Sequence, residues 1–185
     1  MYQNDLRQAR RELEKAFEQC HKDYRENKQR ILRYLIPVEV AVAGKFPSAK
    51  LLQEYDLEEY KDVVEACLRG DMVALEEAIQ TNMDLFIQSG VFSVLERLRL
   101  VTLKNFIKRV TMAVNATPEL QLANKPNHIN LHLLYRPLRK WDDELDLDEL
   151  ECLIANLMGN GLLKGYISHE RRILVLSKEA FPDSQ

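Results

Sequence analysis

The sequence is poor in the residues that mark most specialised chains. It holds three cysteines, Cys20, Cys67 and Cys152, widely separated in 185 residues. An odd, scattered set gives no disulfide framework and fits reduced thiols of the cytosol or nucleus. Six glycines, six prolines and a single tryptophan leave no low-complexity or collagen-like tract. No stretch approaches the roughly 18 uncharged apolar residues of a membrane helix, so no membrane is expected among its partners. The opening residues, MYQNDLRQARRELEKAF, are charged and helical without an apolar segment, so no secretory signal is expected there. They resemble the middle of a helical array, and the chain is expected to be the C-terminal part of a longer protein.

Catalytic signatures are equally scarce. GNGLLKG, residues 159–165, lacks the spacing of a phosphate loop and follows a helix where that motif needs a strand. His128 and His132 are four apart, but no third ligand or catalytic Glu accompanies them. Cys20 and His21 are adjacent and so diverge on a helix. The acidic run DDELDLDE has no calcium-loop pattern and reads as a solvated helix start. No GxSxG and no nucleophile with an evident base is present. The expectation is a protein that is not an enzyme and carries no cofactor or metal.

Charge, by contrast, is plentiful and segregated. The chain totals −3, yet residues 44–96 sum to −7, residues 97–140 to +8 and residues 141–185 to −6. A block at +8 inside an acidic protein points to one local anionic partner. Arg97, Lys104 and Lys108 are spaced by seven and four and share a helix face, with Arg109 beside them. Arg136, Arg139 and Lys140 gather at another helix end, and Lys164, Arg171 and Arg172 fall on a C-terminal hairpin. These ten form the candidate nucleic-acid surface. The competing reading is a set of solvated or internally paired charges.

Periodicity predicts helices through most of the chain. One runs from 3 to about 26 with Leu6, Leu13, Phe17 and Cys20 on one face. RILRYLIPVEVAVAG follows, kinked or broken at Pro37 and ended by Gly44. About four short helices then lead to Gly90, with Pro47 near one first turn and Asp71 capping another. Such short amphipathic pairs suit a helical-repeat array, with a compact all-α bundle as the alternative. A long helix spans 91–115 and a loop covers 116–130. Helix LHLLYRPLRKW is ended or interrupted by Pro137. Asp146 and Glu149 make a capping box for a helix with Leu147, Leu150, Ile154 and Leu157 as its buried stripe. Strands at 163–168 and 172–177 close a two-stranded hairpin. Helices followed by a two-stranded wing make a winged helix. The fold class is mainly α, a helical-repeat (TPR-like, bihelical) array over 1–96 and a winged-helix part over 97–185.

Residues 142–163 hold seven acids and no base, so the helix that would read a DNA major groove repels phosphate. That argues for backbone contacts without sequence choice, and for Asp148, Glu151 and the wing edge at Tyr166, Ile173 and Val175 facing a protein partner instead. Tyr135, Trp141 and Tyr166 are candidates either for base stacking or for the core.

Short helical pairs running into a winged helix resemble the PCI domain of the proteasome lid, the signalosome and initiation factor three. NKQRILRYLIPVEV, FIQSGVFSVLERLRLVTLKNFIKRV, DELECLIANLM and KGYISHERRILVLSK resemble, more closely, the PCI subunits of the nuclear messenger-RNA export complex. That resemblance implies a helical array stacked on a larger PCI-containing scaffold subunit. It also implies a small acidic disordered subunit, shared with the proteasome lid, along the helical layers. Paired winged helices would form a platform for RNA or DNA backbone, and the protein would reside in the nucleus at nuclear pores, with the cytoplasm as a second compartment. The loop NATPELQLANKPNHIN is longer than the family pattern. The rival expectation is a structural subunit of a signalosome- or lid-like complex whose basic block binds acidic protein segments.

Overall fold

The computed structural model describes residues 2–122 and 125–182. Helices α1 (Tyr2–Gln19) and α2 (Arg25–Ala43) pack along one another. α1 stops at Gln19, short of the predicted end, because residues 21–24 form a turn in which the Tyr24 amide donates to the His21 carbonyl. Leu13 and Phe17 of α1 pack half-buried against the first core.

Pro37 neither breaks nor ends α2. Lacking an N–H, it leaves the Arg33 carbonyl one turn earlier without its helical donor. The Tyr60 hydroxyl donates to that carbonyl at 2.7 Å. Tyr60 is fully buried, so the orphaned acceptor is satisfied from within the core. Gly44 then closes α2 in the left-handed conformation.

Helix α3 (Ala49–Glu54) is capped by Ser48, whose hydroxyl accepts from Leu51, with Pro47 directly before the cap. A 3-10 turn at Glu58–Tyr60 leads into α4 (Lys61–Arg69), and α5 (Met72–Thr81) starts at the predicted cap, Asp71, which accepts from Ala74. Helix α6 (Met83–Gln88) is short, and α7 (Phe92–Ala116) is the 25-residue axis of the molecule.

Two apolar cores divide along α7. Leu95, Leu98 and Val101 belong to the first, with α2, α4, α5 and α6. Leu103, Ile107 and Val114 belong to the second, with the C-terminal elements. The change falls between Val101 and Leu103, so one helix is shared by both parts and ties them rigidly.

The C-terminal part is β1 (His128–Asn130), α8 (Leu131–Leu138), α9 (Leu147–Gly159), β2 (Gly165–Ser168) and β3 (Ile173–Leu176). The capping box of Asp146 and Glu149 is present; Leu150, Ile154 and Leu157 are fully buried as expected, whereas Leu147 in the first turn is only half-buried. The sheet, however, has three antiparallel strands in the order β1-β3-β2, not two. The third lies in what reads as loop. HIN is short and polar, but its central Ile129 is fully buried and faces Leu174 across the ladder. Asn127 starts the strand with a positive φ of 64° that asparagine tolerates. Asn115 at the end of α7 holds it by two bonds of 3.2 Å, to the Asn127 side chain and amide. A one-residue core anchor and an Asn–Asn clasp carry no periodic signal.

Candidate nucleic-acid interface

The ten candidate cations fall into three environments. The best organised lies where α7 crosses the α4–α5 turn. Gly70 ends α4 with φ 67°, and a Cβ there would strike the Phe106 backbone, so only glycine lets this turn seat on α7. The last carbonyls of α4 lack helical donors. Asn105 Nδ2 donates to the Cys67 carbonyl at 2.8 Å, and Arg109 Nη1 to the Arg69 carbonyl at 2.7 Å. Cys67 is buried among these elements, and burial pushes its thiol up to about 11, so it is inert as a nucleophile at neutral pH.

Two clefts open on either side of this junction. One, of about 470 Å³, lies between the turn, α7 and the end of α8, with Arg69, Arg109 and Lys140 around it and Phe106, Pro137 and Trp141 among its apolar walls. Its one acid among the described residues, Asp71, is engaged as the α5 cap. The other, of about 510 Å³, is lined by Lys104, Lys108 and Arg109, with Met112 and Phe181, and by no acid among the described residues. Arg109 belongs to both. The Lys164 amide donates to the Ala180 carbonyl, which holds Lys164 one residue from Phe181 and beside the second cleft. The structure thus places Lys104 and Lys108 at one cleft, Lys140 at the other and Arg109 at both, while Lys164 lines neither.

The second environment is dispersed. Arg97 is half-buried about 10 Å along the helix axis from Lys104. Arg136 is exposed on α8, and Arg139 donates to the Asp143 carbonyl at 2.6 Å, closing the chain after α8. Arg171 is exposed at the hairpin tip, the far end of β2 from Lys164.

The third environment is an ion-paired clamp between the wing and α9. Arg172, with φ 51°, folds back on α9, its Nη1 lying 2.6 Å from Asp148 Oδ1 and 2.8 Å from Glu151 Oε1. Its charge is paired with two carboxylates at the molecular surface. Glu151 also lies 2.8 Å from His169 Nδ1 and is largely covered, so it anchors the wing, while Asp148 joins the clamp and stays mostly exposed. The Arg172 hydrogen bond holds the Asp148 carboxyl below its ordinary range. Burial pushes Glu151 up, but the bonds from His169 and Arg172 outweigh it and hold it low. The donor atoms of Asp148, Glu151 and His169 lie within 4.8 Å of one another, a cation-like spacing that the Arg172 guanidinium fills.

Ile173 and Val175 were expected on a wing edge. They sit on β3, the central strand, because β1 covers what would have been its open side. Their half-buried side chains share the outer face of the sheet with His128 and the exposed Tyr166, which pair with Val175 across the ladder. Two cleft residues escape sequence reasoning. Arg69 lies in the acidic block, and Phe181 follows the last strand. Both reach the site through contacts 40 or more residues distant, which no local spacing signals.

A helical array whose last long helix runs into a three-stranded winged helix defines a modular interaction domain. Residues 79–178 match the family model of the PCI domain. The chain belongs to the PCI domain family, whose members are generally structural subunits of complexes. It is 34% identical over 180 residues to "PCI domain-containing protein 2" of Xenopus laevis, covering 97% of this chain and 42% of that one. It is 39% identical over 184 residues to "PCI domain-containing protein 2 homolog" of Caenorhabditis elegans, covering 98% and 42%. "Protein CSN12 homolog" of Neurospora crassa is 34% identical over 185 residues, covering 95% and 40%. The chain spans about two fifths of the length of these curated relatives.

Proposed function

We propose that this PCI domain serves a non-enzymatic subunit of a nuclear messenger-RNA export assembly. In that role it stacks on a larger PCI-containing scaffold, engages a small acidic disordered subunit along its helical layers, and binds RNA or DNA backbone without sequence choice. The observation that carries the nucleic-acid part is the pair of clefts joined at Arg109, one lined by Lys140 and the other by Lys104 and Lys108. Family membership and the resemblance of the α7, α9 and wing strings to export-complex PCI subunits support the rest. The acidic α9, already clamped to the wing, has no part in binding phosphate.

Lys108 and Lys140 each contribute about one phosphate contact in this reading. The double substitution Lys108→Glu, Lys140→Glu should lower affinity for an oligonucleotide at least tenfold at low salt and reduce the salt slope by about two. Fluorescence anisotropy across a salt series measures both. An unchanged slope would remove these residues from the interface.

A second reading rests on the Neurospora relative, whose name points to a signalosome. In it the clefts receive an acidic protein segment and no nucleic acid. Affinity purification of the full-length protein with identification of its large PCI partner separates the two readings.

A further inference from the structure

The cleft at the α4–α5 turn is shaped for more than phosphate. Phosphate binding needs exposed cations, and Lys108 would serve. Here cations stand around an apolar recess, with Arg69 and Arg109 on the turn side and Lys140 on the α8 side. Phe106 and Trp141, half-buried and packed against the second core, and the Pro137 ring give it apolar walls. Aromatic walls among cations are what an unstacked base with its flanking phosphates requires. Bases of a duplex are paired and stacked, and reaching them needs an element inserted in a groove. The elements of this fold suited to insertion are closed to it: α9 is acidic at its start, and the wing turn is clamped to it through Arg172.

We propose that this cleft seats one base of a single-stranded nucleic acid against Trp141, while Arg109 and Lys140 hold the neighbouring phosphates. The inference rests on the backbone-binding reading above and narrows it to single strands. The strand continues past Arg109 into the second cleft, where Lys104 and Lys108 bind backbone alone. The ligand class is single-stranded RNA or DNA without sequence preference, since every base offers a π-face.

Trp141 is the one tryptophan in the chain, so its fluorescence reports the seat directly. The test titrates the 185-residue chain with oligouridylate of about 12 nucleotides and with an abasic strand carrying the same number of phosphates. The expected result is quenching by oligouridylate alone, with the abasic strand bound at least fivefold more weakly. Trp141→Phe should keep most of the affinity and lose the signal, and Lys140→Glu should weaken both strands alike. Equal binding of both strands without quenching overturns the base seat and leaves the backbone reading standing. Binding of neither strand at low salt removes both. Quenching by an acidic peptide with aromatic residues, in preference to oligouridylate, also overturns the proposal and assigns the cleft to a protein segment.

Discussion

The two faces of the C-terminal half carry the same kinds of cation in opposite states. Around the α4–α5 turn, Arg109 gives one N–H to a helix-end carbonyl and stays exposed with Lys108 and Lys140 beside apolar recesses. Across α9, Arg172 meets two carboxylates and is neutralised. The difference lies in what each cation faces. α7 meets the C-terminal end of α4, which presents neutral carbonyls, whereas the wing turn meets the N-terminal end of α9, where acids gather to suit the helix dipole. A basic block counted along a sequence becomes a binding surface only on the side whose neighbours leave its charge uncompensated.

The largest effect should come from the glycine on which the open side depends. Gly70→Val places a β-branched residue at φ 67° and drives its Cβ into the Phe106 backbone. Left-handed strain and overpacking together should cost about 2–5 kcal/mol, read by urea denaturation. In the fraction that folds, the turn must retreat from α7, so oligonucleotide affinity should fall as well. Retained affinity in a destabilised variant would show that the clefts do not need this junction.

On the wing side the corresponding anchor is Ile129. Ile129→Ala should cost about 2–4 kcal/mol, as expected for a fully buried side chain. A cost well under 1 kcal/mol would mean that β1 is an incidental bridge and that the wing stands on two strands. The oligonucleotide affinity of the folded variant should be unchanged, because β1 lines neither cleft.

What the sequence made legible follows the range of the interactions involved. Helix caps at Asp71 and Asp146, helix ends at Gly44 and Gly70, and the stripe Leu150, Ile154 and Leu157 are local rules and appear where expected. The PCI family was legible from the order of elements and from short strings. The unbroken course of α2 was not, because the partner that rescues Pro37 is a tyrosine 23 residues on, at Tyr60. β1 was hidden for the same reason, its clasp being made with Asn115. Of the ten candidate cations, spacing on α7 put Arg97, Lys104 and Lys108 on one helix face, and the last two line one cleft. The same kind of counting could not see that Arg172 pairs with the acids of α9 or that Arg69 joins from an acidic stretch.

The smallest effect isolates the closed side. Arg172→Ala removes the clamp without touching the clefts, so affinity should stay within about twofold while the thermal midpoint drops by roughly 1–3 °C, in line with exposed ion pairs. The pH dependence fixes the cause. Asp148 and Glu151 are held below their ordinary values of 3.8 and 4.5 in the folded chain. A carboxyl depressed on folding contributes stability above its unfolded pKa and loses it as the pH falls through the lower folded one. The wild-type midpoint should therefore fall more steeply than that of the variant from about pH 4.5 downward, and the two curves should converge at the acid end. Parallel curves would mean that Arg172 does not stabilise the wing through these carboxylates. A marked loss of oligonucleotide affinity in Arg172→Ala would restore it to the binding surface and erase the contrast between the two faces.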